Sequence, residues 1–443
     1  MAIVIACSIL FLNSASAEAA AAETLAQALA SAYENNPTLN AQRAGVRATD
    51  EGVPQALSGY RPTVSAGASA GVTDINGSTF YPRGVSLTIT QPLFQGWRMV
   101  NGVKIAETAV LAAREALRNT EQATLLAAVQ AFMNLVQAQA ILNLQKQNID
   151  FLGQQVKAAE DKLNVGEGTR TDVAQTNASL AAGQASYSSA VAALNTAIAV
   201  YEQVIGHRPQ SLGAAKPIDT LLPMNVNAAL ADVPSHPAIL AASYNTDVAE
   251  FNVKVAEGAL LPTVTLQGSL AHDEGSSTGQ ATSASAVARL NVPIYGGGAP
   301  SSRVRQAKET LDEARIQLDV ARDQVREQAI SEWGVLDAAR AQIRAADSEV
   351  SAQSLVLSGV IEQQKVGQQT TLDVLTAQQT LLSARVALVT AEHDRVVASY
   401  ALLADIGRLN AETLGLKVAV YDPVQHYTQV RDKWGGLRTP DGR

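Results

Sequence analysis

The sequence predicts a mainly α-helical chain with a smaller β part, built twice from one helix, strand, strand, long helical hairpin unit. Three observations carry this: a repeat at an offset of about 200 residues, two period-two stretches in each copy, and two very long proline-free runs. Arg61-Pro62-Thr63-Val64 returns as Leu261-Pro262-Thr263-Val264, and Pro37 as Pro237. One residue further on, Pro92-Leu93-Phe94 matches Pro293-Ile294-Tyr295, Val165-Gly166 matches Val366-Gly367, Asp172-Val173 matches Asp373-Val374, and Ile205-Gly206 matches Ile406-Gly407. Anchors held in register over so long a span define two repeats, 18–220 and 221–420, followed by a polar tail over 421–443.

The first residues are apolar from Ala2 to Leu12, and Ser14-Ala15-Ser16-Ala17 supplies the small residues of a cleavage site. Residues 1–17 therefore read as a signal peptide, with the mature chain starting near Glu18. The single cysteine, Cys7, falls inside this segment, so the mature chain carries no disulfide and no thiolate metal site. Its surroundings do not read as a lipoprotein box.

Thr24 to Leu57 reads as helix, interrupted at Pro37 and Pro54. The period then changes to two. Val85, Leu87 and Ile89 alternate with Ser86, Thr88 and Thr90, facing small and polar residues over Val64 to Val72, with Asn76-Gly77 as the hairpin signal. Strands are expected at about 62–74 and 81–94, and in the second copy at about 262–272 and 284–295, across a loop from His272 to Gln280. After each strand pair comes a proline-free run, 93–208 and 301–422, broken only at Gly166 and Gly168 or at Gly367. Each run is expected to fold back there, with hairpin tips at about 165–172 and 366–373. Spacings of four and three over Ile149, Leu152, Val156, Ala159 and Leu163, then Leu180, Gln184, Tyr187, Val191, Leu194, Ile198, Tyr201 and Ile205, predict an antiparallel coiled coil. An outgoing helix from Asn101 to Asn164 would be roughly 95 Å long. The returning helix is about half that, which leaves room for the helix of residues 24–57 to stack beyond its end.

No unbroken run of 18 apolar residues follows the signal segment, so a membrane would be crossed by strands. Four amphipathic strands cannot close a barrel, and open edges in lipid leave backbone groups unpaired, so several copies must share one barrel. Two copies would give 8 strands and a filled interior, three would give 12 and a lumen. The formal charge of −8, without a cluster of Lys or Arg, gives a nucleic-acid partner no support. Gly67-Ala68-Ser69-Ala70-Gly71 fits a nucleophile-elbow pattern, but it lies within a strand of small residues, and the five histidines have no ligand spacing. The reading is therefore not an enzyme and needs no cofactor. Trp97, Trp333 and Trp434 read as packing or interface anchors. A soluble trimeric coiled-coil scaffold is the alternative; it leaves the strands without partners.

The duplicated unit, the P-L-F and P-I-Y strand exits and the V-G-x-x-T-x-x-D-V tips resemble the TolC family of outer-membrane ducts, over about Glu23 to Leu416. The resemblance implies a homotrimer with a 12-stranded barrel in outer-membrane lipid and a helical tunnel through the periplasm. It also implies a periplasmic adaptor and an inner-membrane pump of the RND or ABC type, serving efflux or type I secretion. Adaptor contact would fall on the tips at Val165, Gly166, Thr169, Val366, Gly367 and Thr370. The matching position makes Asp373 an acidic ring at the entrance, where converging carboxylates should have raised pKa values. Thr171 and Asp172 match the first-hairpin partners, Arg170 could supply a salt bridge from the other side, and helix capping alone is the other reading of Asp172. The family's second ring aspartate is Thr376 here, and its locking tyrosine and arginine are Gln364 and Gln369, so a looser constriction is expected.

Overall fold

The computed structural model describes residues 22–276 and 279–442. The segment read as a signal peptide, Cys7 included, lies outside the described residues. Three helices, α1 (Leu25–Asn35), α2 (Pro37–Asp50) and α3 (Gly52–Leu57), occupy the stretch expected as one interrupted helix. Asn36 caps α2, its Oδ1 accepting from the Thr38 and Leu39 amides at 2.9 and 3.3 Å, with Pro37 at the first helical position. Pro54 lies inside α3 rather than at its end. A proline disturbs the carbonyl four residues earlier, here Asp50, where α2 stops.

Strands β1 (Thr63–Ala70), β2 (Thr73–Ile75), β3 (Ser78–Phe80) and β4 (Arg83–Gln95) follow. Asn76 and Gly77, with φ of 56° and 82°, close the short β2–β3 pair in the left-handed region that an Asn-Gly turn needs. Then come the 67-residue α4 (Arg98–Asn164) and the 36-residue α5 (Arg170–Ile205). The second copy comprises α6 (Val226–Asp232), α7 (Pro237–Gly258), β5 (Thr263–Ser276) and β6 (Gly279–Asn291). It continues with the 67-residue α8 (Ala299–Lys365) and the 35-residue α9 (Thr371–Asp405). The loop expected at 272–280 is mostly strand, because β5 and β6 continue pairing to Ser276 and Gly279.

The chain divides into two compact units. One holds residues 22–32, 128–217 and 343–396. Leu25, Ala28, Leu29 and Ala32 place an apolar stripe of α1 in its core, with Phe132 of α4 and Tyr201 of α5, whose ring centres lie 6.4 Å apart. Each such ring contributes roughly 1.5–3 kcal/mol by leaving water. Ser31 Oγ donates to the Ile205 carbonyl at 3.1 Å, which seats α1 at the end of the returning helix. The α4–α5 seam differs from the expected one. Tyr201 and Ile205 are buried as expected, but the other buried α5 positions are Thr176, Gly183 and Ala190, seven apart, while Gln184 faces solvent. A Cβ on Gly183 would come within 2.9 Å of the tip of the Leu152 side chain, so a larger residue there must displace Leu152 from the close approach of the two helices. Between α4 and α9 runs a polar ladder. Gln378 Nε2 donates to Asn148 Oδ1 at 3.0 Å, Gln137 Nε2 to Thr390 Oγ1 at 3.2 Å, and His393 Nε2 meets Asn134 Oδ1 at 2.8 Å. The partners descend one helix as they ascend the other, which fixes an antiparallel register between the two repeats.

The other unit holds residues 33–127, 218–342 and 397–442. Its sheet has the order β1-β4-β5-β6, antiparallel throughout, so the two repeats join through β4 and β5. Directly paired residues share a face. Val64, Val85, Leu87, Ile89, Leu270 and Leu290 fall on one face and are 42–63% exposed, whereas Ser65, Ser86, Thr88, Gln267, Ser269 and Ser285 fall on the other. Ser69 pairs with Gly84 inside β1, with no helix following it, so the nucleophile-elbow pattern has none of its required context.

The polar tail is docked. Its helix α10 (Pro423–Val430) packs on α2: His426 Nδ1 lies 2.9 Å from Asp50 Oδ2, Arg431 meets Glu107 at 3.1 Å, and Val430 is buried. Helix α4 carries an 18-residue window apolar enough to cross a membrane by composition, which the search for an unbroken apolar run did not register. Leu125, Ala128, Val129 and Phe132 of the same helix are wholly covered by this chain.

Two outcomes are expected from this packing. Gly183→Ile should destabilise the α4–α5 hairpin by about 1–3 kcal/mol, read as faster hydrogen exchange in both helices, with unchanged exchange counting against the close-approach account. Burial, with Glu332 and Glu327 nearby, pushes the Asp405 carboxyl from the ordinary 3.8 up to about 7. A raised folded pKa stabilises below the unfolded value and loses that contribution as pH rises through about 7. The detergent-extracted protein should therefore melt higher at pH 5.5 than at pH 8. Asp405→Asn should flatten this dependence and melt higher than the parent at pH 8; equal slopes for the two proteins would remove Asp405 as the cause.

Candidate functional site at the helical hairpin tips

The first tip begins where α4 runs out at Asn164. The Gly166 amide donates to the Leu163 carbonyl at 3.1 Å and the Glu167 amide to that of Lys162 at 2.9 Å. Gly166 has φ +84°, the left-handed conformation that ends a helix without steric cost only at glycine. Thr169 then caps α5 in a reciprocal box: its Oγ1 donates to Asp172 Oδ2 at 2.6 Å, and the Asp172 amide donates back to Oγ1 at 3.1 Å. The second tip repeats this. Gly367 has φ +80°, Thr370 Oγ1 donates to Asp373 Oδ2 at 2.6 Å, and the Thr370 amide donates to the same oxygen at 2.8 Å. Gln364 Nε2 donates to Thr371 Oγ1 at 3.2 Å, tying the outgoing helix to the returning one.

Within one chain, then, Asp172 and Asp373 are both capping residues. The Thr169 hydroxyl and amide hold the Asp172 carboxyl below the ordinary carboxylate range, and those of Thr370 do the same for Asp373. Each acid is doubly hydrogen-bonded to its own cap, and a single chain brings no second carboxylate to it. Arg170 and Thr171 open α5 and are exposed, and among the described residues Arg170 forms no ion pair. Val165 and Val366 stand out into solvent at 72% and 70% exposure, an apolar residue at the extremity of each hairpin.

Thr376, on the turn after Asp373, is exposed and spends its hydroxyl on the Leu372 carbonyl at 2.8 Å. It also lines a cavity of about 510 Å³ with Gln145, Asn148, Ser179 and Gly183. Sequence reasoning missed the polar ladder that borders this cavity. Its signal was present, since Asn134, Gln137 and Asn148 interrupt the apolar spacing of α4 and need partners if covered.

The paired tips and the open four-stranded sheet have counterparts among known proteins. A family model described as outer membrane efflux protein matches twice, over residues 28–207 and 232–408. The chain is 46% identical over 430 residues to the outer membrane efflux protein BepC of Brucella suis, covering 96% of this chain and 94% of that one. It is 26% identical over 427 residues to the outer membrane protein TolC of Escherichia coli, covering 91% and 86%. Its fold superposes on the crystal structure of the Campylobacter jejuni CmeC outer membrane channel with a TM-score of 0.79 at 16% identity, over 92% and 89% of the two chains. Two family matches, one on each repeat, and a relative this similar over nearly its whole length place the chain in the outer membrane efflux protein family, whose members are outer-membrane channels.

Proposed function

We propose that three copies of this chain form the exit duct of a tripartite efflux or type I secretion system, gated at the hairpin tips and opened by a periplasmic adaptor. The observation that carries the reading is the sheet: an exposed apolar face, a polar opposite face and two edge strands, β1 and β6, each bonded on one side only. Three such sheets joined edge to edge give twelve strands, with Ser, Thr and Gly residues lining a lumen and Val, Leu and Ile meeting lipid. The helical hairpins continue that lumen into the periplasm. At their ends, Val165 and Val366 give an adaptor, itself held by an RND or ABC pump, an apolar foothold beside the fixed turns at Gly166, Thr169, Gly367 and Thr370. Around the axis, Asp373 from each copy forms a ring of carboxylates, with Arg170, Thr171 and Asp172 on the neighbouring hairpin as its closed-state partners. Thr376, Gln364 and Gln369 supply no charge there, so the closed state relies on one acidic ring and neutral hydrogen bonds.

Planar-bilayer recording of the detergent-extracted complex tests this. Asp373→Asn removes the ring charge and keeps the bond from the residue 373 amide to Thr370 Oγ1, whereas Thr370→Ala removes the cap at a cost of about 1 kcal/mol and leaves the charge. The Asn variant should show larger single-channel conductance and need on the order of tenfold more divalent cation for block. The Ala variant should keep the parent's cation block. Unchanged conductance and block in Asp373→Asn would sink the acidic ring, and a complex whose mass is not that of three chains would sink the duct.

A further inference from the structure

The docked tail builds a pocket at the helix end of the sheet. Arg61, two residues before β1, donates from Nη1 to the Lys433 carbonyl at 2.8 Å and lays its guanidinium 4.7 Å from the centre of the Trp434 ring. Gln91 of β4 donates to the Tyr60 carbonyl at 2.9 Å, which ties the same corner to the sheet. Tyr60, Arg61, Lys104, Glu107, Arg431 and Trp434 line a cavity of about 520 Å³ there.

Its charges are unevenly spent. Glu107 and Asp432, the acids of the lining, both lie against Arg431, at 3.1 and 3.2 Å. No carboxylate meets Arg61 or Lys104 among the described residues; the Lys104 amine lies 5.5 Å from the Phe251 ring instead. The pocket therefore presents two cations without counter-ions. Its depth follows from the chain. Lys104 is six residues into α4, which begins three residues after β4 ends, so it lies roughly 10 Å beyond the strand foot. The polar layer of a bilayer is about 5–8 Å thick on each side, so the backbone of Lys104 lies just outside it and the long Lys side chain reaches back into it. Trp434 is 74% exposed and Leu437 fully so, in a segment folded back by a bond from Lys433 Nζ to the Arg438 carbonyl at 2.8 Å. Large apolar groups flanked by Lys and Arg at this depth have the composition of a membrane interface.

We propose that the C-terminal tail completes a phosphate-binding pocket for the headgroup of a glycerophospholipid in the periplasm-facing leaflet, with Trp434 and Leu437 entering that leaflet. Arg61 and Lys104 meet the phosphate, and the tail fixes Arg61 by stacking Trp434 on it. The partner is the lipid surface itself, and the tail acts as a collar that sets the depth of the barrel.

Native mass spectrometry of the intact detergent-extracted complex, titrated with dioleoyl phosphatidylglycerol, tests the assignment. Lys104→Gln leaves every bond to the tail in place and should weaken lipid retention about fivefold, with about the same factor again on adding Arg61→Gln. Trp434→Ala should shorten lipid residence without changing the subunit count. Equal retention by the parent and Lys104→Gln would overturn the site. Displacement of the lipid by millimolar inorganic phosphate would overturn the lipid reading in favour of a soluble anion.

Discussion

Everything else in this molecule depends on backbone hydrogen bonds that one chain cannot complete. The sheet ends in β1 and β6, each with a full row of amides and carbonyls facing outward, and one of its faces is a patch of Val, Leu and Ile. In water such an edge invites aggregation; in hydrocarbon each unpaired group costs several kcal/mol. In the proposed assembly, closure with further copies inside a bilayer removes both defects. The order β1-β4-β5-β6 makes this easy, since identical open sheets meet β6 to β1 with no special end.

Duplication explains why so much of the fold was legible. A motif that appears once could be chance, but Val165-Gly166 and Val366-Gly367 interrupt long proline-free runs at matching places, and both glycines adopt positive φ. The same holds for Pro37 and Pro237, which begin α2 and α7. Alternation over Val85 to Thr90 was readable because period two leaves no helical alternative. Prolines act on the backbone alone, so their consequences survive any packing. Even there the reading slipped by a turn at Pro54, where the helix broke before the proline and not at it.

Packing between helices was less readable, for a reason the α4–α5 seam makes plain. Heptad reasoning favours large apolar residues: it found Tyr201 and Ile205, which are buried, but also chose Leu180, Tyr187 and Leu194, where the buried positions are Thr176, Gly183 and Ala190. Where helices approach closely, burial goes to the residue with least volume, which hydrophobicity does not rank. The ladder of Asn134, Gln137 and Asn148 was hidden likewise, because a polar residue in an apolar stripe reads as a defect until its partner 230 or more positions away is placed. The tail was read as polar, and as either flexible or draped over the helices. Its docking rests on pairs such as His426 with Asp50 that have no periodicity at all.

The tips join these two levels. Asp172 and Asp373 are legible as caps from the Thr-x-x-Asp spacing alone, and the cap is what the single chain displays. A carboxylate held by a hydroxyl and an amide of its own turn has its charged form stabilised before any second copy arrives. In the proposed trimer, mutual repulsion must therefore act against a local bias toward ionisation, and the ring stays charged to lower pH than three free carboxylates would. Retaining one ring, with Thr376 in place of a second, limits that repulsion to a single layer. The capping threonines thus start the returning helices and favour the ionised form of the acids beside them, which in the proposed trimer is the form the ring requires.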